Sequence, residues 1–251
     1  GREEELGLFV AGGKGGTSRK TPEEIVKWSE RLGFSQAQSD RLVYASRMSA
    51  KVDSNAVQDG FQIYHHQFLF TKSGLWAVFQ QGMNENLGTA RRYHWVSDRL
   101  KDFVEEPHIG IVSEDRVNVL DLTAKGSRKT REVSVALVKE SFPSLIKDLK
   151  RLAVLDLPRQ HPIYAKDFNV DRLVKIINKI KEIEPQNYEQ LIGIPGVGPK
   201  TILALSLIAE LIYGTKPSWQ DPARYSFAHG GKDGIPYPVD RELYEKTINF
   251  F

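Results

Sequence analysis

The chain contains no cysteine, so neither a disulfide framework nor a zinc site built on thiolates can hold it together. A metal, where one is bound, must sit on histidine, carboxylate or amide oxygen. Cysteine-free composition fits a reducing compartment, and a cytoplasmic location is the expectation. No apolar run nears the roughly 20 residues that cross a bilayer. The longest, Ile202 to Ile212, carries Glu210 near its end and has the length of a core helix, so no membrane is expected as a partner. An excess of one charge is missing too: 35 basic residues stand against 32 acidic ones, for a net charge of +3, which excludes a protein that coats nucleic acid by bulk charge. A nuclease-type carboxylate pair in an Asp-x(n)-Glu-x-Lys pattern is absent, with Lys51 and Asp53 only a faint echo. The chain starts at Gly1 rather than Met, without a charged-then-apolar leader, as a trimmed piece would; a site that needs upstream residues would then be incomplete.

What is present suits a folded domain: 251 residues, 40% of them hydrophobic, without internal repeats or low-complexity tracts. Leu6 to Gly16 reads as a lead-in to a flexible glycine-rich loop. The loop Gly12-Gly13-Lys14-Gly15-Gly16-Thr17 lacks the Gly-Lys-Ser/Thr ending of a nucleotide-binding loop. Thr21-Pro22-Glu23-Glu24 offers an N-cap, a helix-starting proline and a capping-box Glu, and Ser35 caps a second helix to about Lys51. Aromatic and β-branched residues then form a β-hairpin, Phe61 to Phe70 and Leu75 to Gln81, around Thr71-Lys72-Ser73-Gly74. With Phe70 opposite Leu75, His65 would face Gln80 and Tyr64 would face Gln81. A further strand is expected over Arg116 to Leu122, followed by a basic loop, and helices over Pro143 to Ala153 and Asp171 to Ile183. The expected fold is α+β: a small antiparallel β region with surrounding helices, plus an all-helical C-terminal part. The boundary falls in Leu157 to Asp167, dividing residues 1–157 from residues 158–251, and a short helix near Asp240 closes the chain.

The most specific local signal is Ile194-Pro195-Gly196-Val197-Gly198-Pro199-Lys200, between a short helix from Tyr188 and a long apolar one to Tyr213. That order is a helix-hairpin-helix. Its glycines allow close approach of a strand, and the amides opening the second helix suit a phosphate. Gly196, Val197, Gly198, Lys200 and Thr201 are therefore the expected DNA contacts, reading backbone rather than sequence. Lys125, Arg128 and Lys129, in the run Lys125 to Arg131, are further candidates. The hairpin carbonyls are a candidate site for a monovalent cation. The hairpin also resembles that of helix-hairpin-helix DNA glycosylases, which implies a sugar-attacking role for Lys200 and an assisting one for Asp221. Against that, Asp221 precedes Pro222 in a loop of different character.

A second concentration of chemistry lies between Asp59 and Trp95. His65, His66, Gln67, Gln81, Asn84, Arg91, Arg92 and His94 are the catalytic candidates, histidine and amide groups for a divalent metal such as magnesium or manganese, arginines for phosphate. Tandem histidines on a strand point to opposite faces, so at most one of His65 and His66 belongs to any one site. The alternative is a buried polar network under a loop.

The strings Gly12-Gly13-Lys14 to Pro22, Tyr64-His65-His66, Gln80 to Asn84, Ala90 to Trp95 and Tyr225 to Gly231 together resemble a prokaryotic and archaeal family known as domain of unknown function 763. The resemblance covers nearly the whole chain and implies a further N-terminal segment. With the hairpin, it makes DNA repair or nuclease roles the expectation. The leading reading is a DNA-binding protein acting as a metal-dependent nuclease. The alternatives are a non-catalytic DNA-binding or scaffolding module and a glycosylase or lyase.

Overall fold

Bulky apolar residues at every second position, Phe68 and Phe70 on one segment and Tyr93 and Trp95 on another, demand a strand with one buried face. The computed structural model supplies it; residues 2–113, 116–139, 142–154 and 169–223 are described, with Glu242, Glu245 and Lys246. A short helix α1 (Glu3–Leu6) leads into strand β1 (Leu8–Lys14), and a 3-10 turn precedes helices α2 (Thr21–Leu32) and α3 (Gln36–Asn55). Strands β2 (Val57–Gln58), β3 (Gln62–Thr71), β4 (Trp76–Asn84), β5 (Thr89–Val96), β6 (Gly110–Ser113) and β7 (Leu120–Asp121) come next. Helices α4 (Arg128–Lys139), α5 (Phe142–Val154), α6 (Val170–Ile183), α7 (Tyr188–Gly193) and α8 (Pro199–Leu211) complete the described elements. The protein is thus α+β: an antiparallel sheet in the order β1-β3-β4-β5-β6, with surrounding helices, and a separate β2-β7 pair.

Several elements differ from the sequence expectation, each for a local reason. The glycine-rich segment is partly strand: β1 pairs with β3 from Leu8↔Thr71 to Lys14↔His65. Gly12 is required there, with φ +88, because a side chain would collide with the His66 carbonyl and the Thr21 hydroxyl. Thr21 is the first residue of α2 rather than its cap, and Glu24 accepts the Gly12 amide at 2.7 Å instead of closing a capping box, so it ties the helix to the edge strand. Ser35 does cap α3, in a capping box with Gln38.

The β3–β4 hairpin is displaced by one residue. Gly74, at φ +86, adds a left-handed residue after the turn and lets Leu75 close it, with Thr71 N–H donating to Leu75 O at 3.0 Å. Phe70 therefore pairs with Trp76, His65 with Gln81 and His66 with Gln80, and a bulge at Tyr64 restores the count further on. The strand expected over Arg116 to Leu122 is reduced to Leu120–Asp121, and the basic run is not a loop throughout, since Arg128 opens α4.

Helices α3, α4, α5, α6, α7 and α8 share one buried cluster with the inner face of the sheet, from Phe9 to Ala209. The expected boundary near Leu157 lies outside the described residues; of the helix expected near Asp240, Glu242, Glu245 and Lys246 are described, and they are helical. Among the described residues no helix is long and apolar enough to cross a membrane.

Candidate nucleic-acid interface

Asn187 caps α7 through a 2.8 Å bond from the Gln190 amide, and the helix ends at Gly193. Two residues shape the turn beyond it. Pro195 supplies φ for the second position of a turn, and Gly196, at φ +98, supplies the left-handed third position, so Ile194 O accepts the Val197 N–H at 3.1 Å in a type II arrangement. Gly198 is extended and starts α8, its carbonyl accepting from Thr201 N and Ile202 N at 3.0 and 3.1 Å, and Pro199 comes where a missing N–H is harmless. Ile194 and Val197 are buried in the core, which leaves Pro195, Gly196, Pro199 and Lys200 on the surface.

The expected DNA contacts therefore divide. Val197 and Thr201 are buried, and the Thr201 amide is used within α8. Gly196, Gly198 and Lys200 are presented, and among the described residues nothing accepts the Gly196 or Gly198 N–H. The carbonyl side of the turn is braced from below: the Lys51 ammonium, on α3, donates to Val197 O at 2.8 Å and reaches Ile194 O at 3.4 Å. Burial holds the Lys51 pKa below its ordinary value. A lysine thus occupies carbonyls expected to suit a monovalent cation. The basic run is largely engaged in the fold: Arg128 pairs with Glu105, Arg131 is buried between Glu105 and the Leu122 and Ala124 carbonyls, and Lys129 pairs with Glu132 at 3.3 Å. Lys125 is exposed on the 3-10 turn before α4.

The pleat splits the eight residues expected to form a catalytic block. His66 and Arg91 face inward. His66 Nε2 lies 2.9 Å from Ser46 Oγ and its Nδ1 lies 2.9 Å from Gln80 Oε1, while Gln80 donates to Asp53. Asp53, fully buried, also accepts from Trp95 Nε1 at 3.1 Å and from His108 Nε2 at 2.5 Å, so its desolvation is offset by three donors. The carboxylate fixes the protons outward: Gln80 must give its NH2 to Asp53, so its oxygen accepts from His66 Nδ1–H, and His66 Nε2 accepts from Ser46. Burial lowers the His66 pKa and favours that neutral tautomer. Arg91, also fully buried, pairs with Asp59 at 3.1 Å and Asp221 at 2.7 Å and lies 4.6 Å over the Phe61 ring. Tyr93 OH donates to Asp59 at 2.5 Å. Desolvation pushes Asp59 up to about 6, although Arg91, Tyr93 and the Phe61 amide pull it down.

His65, Gln67, Gln81, Arg92 and His94 take the opposite face, in paired rows: Lys14, His65, Gln81 and Arg92 in one, Gln67, Phe79 and His94 in the next. Burial, with Arg92 nearby, lowers the His94 pKa. Asn84 ends β4 and accepts the amides of Asn86 and Leu87, a turn role rather than a catalytic one.

Residues 1–239, which include the hairpin and both halves of the block, match DUF763, described as a protein of unknown function. The chain belongs to the DUF763 family. No curated protein and no solved structure matches it.

Sequence reasoning missed Ser46, Asp53, Asp59 and His108 as partners in the polar interior of this DUF763 chain. A signal existed: His66 alternates with Phe68 and Phe70, and Arg91 with Tyr93 and Trp95, which puts both polar residues on the apolar side. Their partners are 20 to 130 residues away in sequence and carry no such mark. Asp221, which the glycosylase resemblance makes a helper of Lys200, is committed elsewhere: beyond Arg91 it accepts the Val117 amide at 2.9 Å and the Ala223 amide at 2.8 Å, clamping the segment after α8 to the sheet. The string Tyr225 to Gly231 lies outside the described residues.

Proposed function

We propose that the chain binds the phosphate backbone of double-stranded DNA through the α7–α8 turn. The observation that carries this reading is the pairing of two glycine amides, unpartnered among the described residues, with the surface Lys200 at the start of a 13-residue helix. Such amides, with the positive end of the helix dipole behind them, form a site for a phosphate oxygen. Recognition of this kind is salt-sensitive and carries little base preference. Among the described residues no three His, Asp or Glu side chains come together as a candidate metal site.

Gly198 allows a clean test, because its backbone is extended and an added Cβ meets nothing within 4 Å. Gly198→Leu should leave the fold intact and weaken duplex binding by about 10- to 100-fold, the loss of a charge-assisted hydrogen bond and of close approach. Lys200→Ala should reduce the slope of log affinity against log salt by about 0.9. Unchanged duplex affinity in folded Gly198→Leu at low salt would show that the turn is not the contact.

A further inference from the structure

None of the five strands of the sheet contains an aspartate or glutamate, in a chain that has 32 of them. The inner face has an evident reason, since it is core. The outer face does not. Helices α2 and α3 meet the sheet from the core side, α2 through Trp28 against Phe9 and α3 through Ser46 against His66, while α1 and the 3-10 turn at Gly15–Lys20 contact the edge strand β1. The polar side chains of the outer face take no part in the hydrogen bonding of the fold: His65, Gln67, Gln81 and Arg92 make no side-chain hydrogen bond or ion pair with any described residue. This contrasts with Arg91, Arg128 and Arg131, each bound to carboxylates.

Aromatic groups are interleaved with these cations. Phe79, on the central strand, is 42% exposed, with His94 edge-on at 5.2 Å. Tyr64, the bulge residue, lies under the Lys14 ammonium at 5.7 Å from its ring centre. Lys14 and Arg92 lie in one row, three strand spacings or about 14 Å apart, and Val112 of β6 continues the row beyond Arg92. Two cations in one row, exposed rings beside that row and no carboxylate in the strands describe a surface for an unpaired polyanion with stackable bases. A duplex hides its base faces and would leave Phe79 unused.

We infer that the outer face of this sheet binds single-stranded DNA, with bases stacked on Phe79 and Tyr64 and phosphates paired with Lys14 and Arg92. DNA rather than RNA is chosen because of the backbone reading of the α7–α8 turn, and only that choice rests on it. The two sites are separate, one for the duplex and one for an unpaired strand beside it.

The test is fluorescence anisotropy on the full chain with labelled oligothymidylate of about 15 nucleotides and, in parallel, a labelled duplex. Phe79→Ala should lower oligothymidylate affinity roughly 5- to 100-fold, and Phe79→Tyr should retain it. Arg92→Ala should lower both the affinity and the salt slope, the latter by about 0.7. Duplex binding should be unchanged in all three. Gly198→Leu should show the reverse pattern, so loss of duplex binding alone speaks only to the turn. The inference is overturned if Phe79→Ala and Arg92→Ala bind oligothymidylate as the parent does. It is equally overturned if oligouridylate binds more tightly than oligothymidylate. A parent that sediments as a dimer, split by Phe79→Ala without effect on oligonucleotide binding, would make the face a contact between copies instead.

Discussion

Two buried titratable side chains respond to acid in opposite directions. Burial keeps His66 neutral against the opposing pull of its bond to Gln80 and of the Asp53 charge, so its folded pKa lies below the ordinary value of about 6.5. Its contribution to stability is present above about pH 6.5 and is lost as pH falls through the folded value. Asp59 is pushed up to about 6, against an ordinary value of about 3.9. The folded protein then holds a proton that the unfolded chain lacks; that contribution is full below about pH 4 and is lost as pH rises through about 6. The two partly cancel in the parent protein. His66→Gln should therefore lose less Tm than the parent between about pH 7 and about pH 5, and Asp59→Asn should lose more, with about 1 kcal/mol over that interval attributable to Asp59. Identical pH responses in all three proteins would remove these residues as the source. Arg91 is engaged in the fold, with Asp59 and Asp221 on its buried guanidinium.

Helix α3 links the two candidate regions. Its inward side carries Ser46 and Asp53 to the sheet, and Lys51 reaches the α7–α8 turn. Lys51→Met would strip the donor from Val197 O and leave that carbonyl unsatisfied, at a cost of about 1–3 kcal/mol. Urea denaturation should show that loss, and amide exchange at Val197 and Ile202 should quicken. Unchanged stability and exchange would mean that α3 does not brace the turn. The sheet illustrates the same dependence on pairing: a residue added by Gly74 sets the β3–β4 register, and with it which side chains share a row.

Across the molecule, a single apolar cluster includes Phe68 and Trp95 of the sheet, Leu137 of α4 and Leu205 of α8. Sharing a core makes separate unfolding of residues 1–157 and 158–251 costly. Denaturation followed by tryptophan fluorescence, which reports Trp28, Trp76, Trp95 and Trp219, and by far-UV circular dichroism should give coincident transitions. Two resolved transitions would support the division into two domains expected from the sequence. Ion pairs tie Arg128, Lys129 and Arg131 of α4 into the fold, and Lys200 and Arg92 are exposed at the surface.

The sequence by itself determined what depends on neighbouring residues: the α+β class, the Ser35-capped α3, and the α7–turn–α8 order, because Pro195-Gly196 permits one turn and Gly198-Pro199 starts one helix. It determined less where partners are distant. β1, β5 and β6 are not among the strands expected from sequence: β1 ends in glycines, β5 opens on Thr-Ala-Arg-Arg and β6 is only four residues long, and each is fixed by the ladder it joins. The tertiary structure alone decided the fate of the polar block. Period-two alternation sends adjacent residues to opposite faces, and only packing decided which face is inner: α3 meets it at His66, Asp59 and Asp221 meet it at Arg91, and His65, Gln81 and Arg92 lie on the other side.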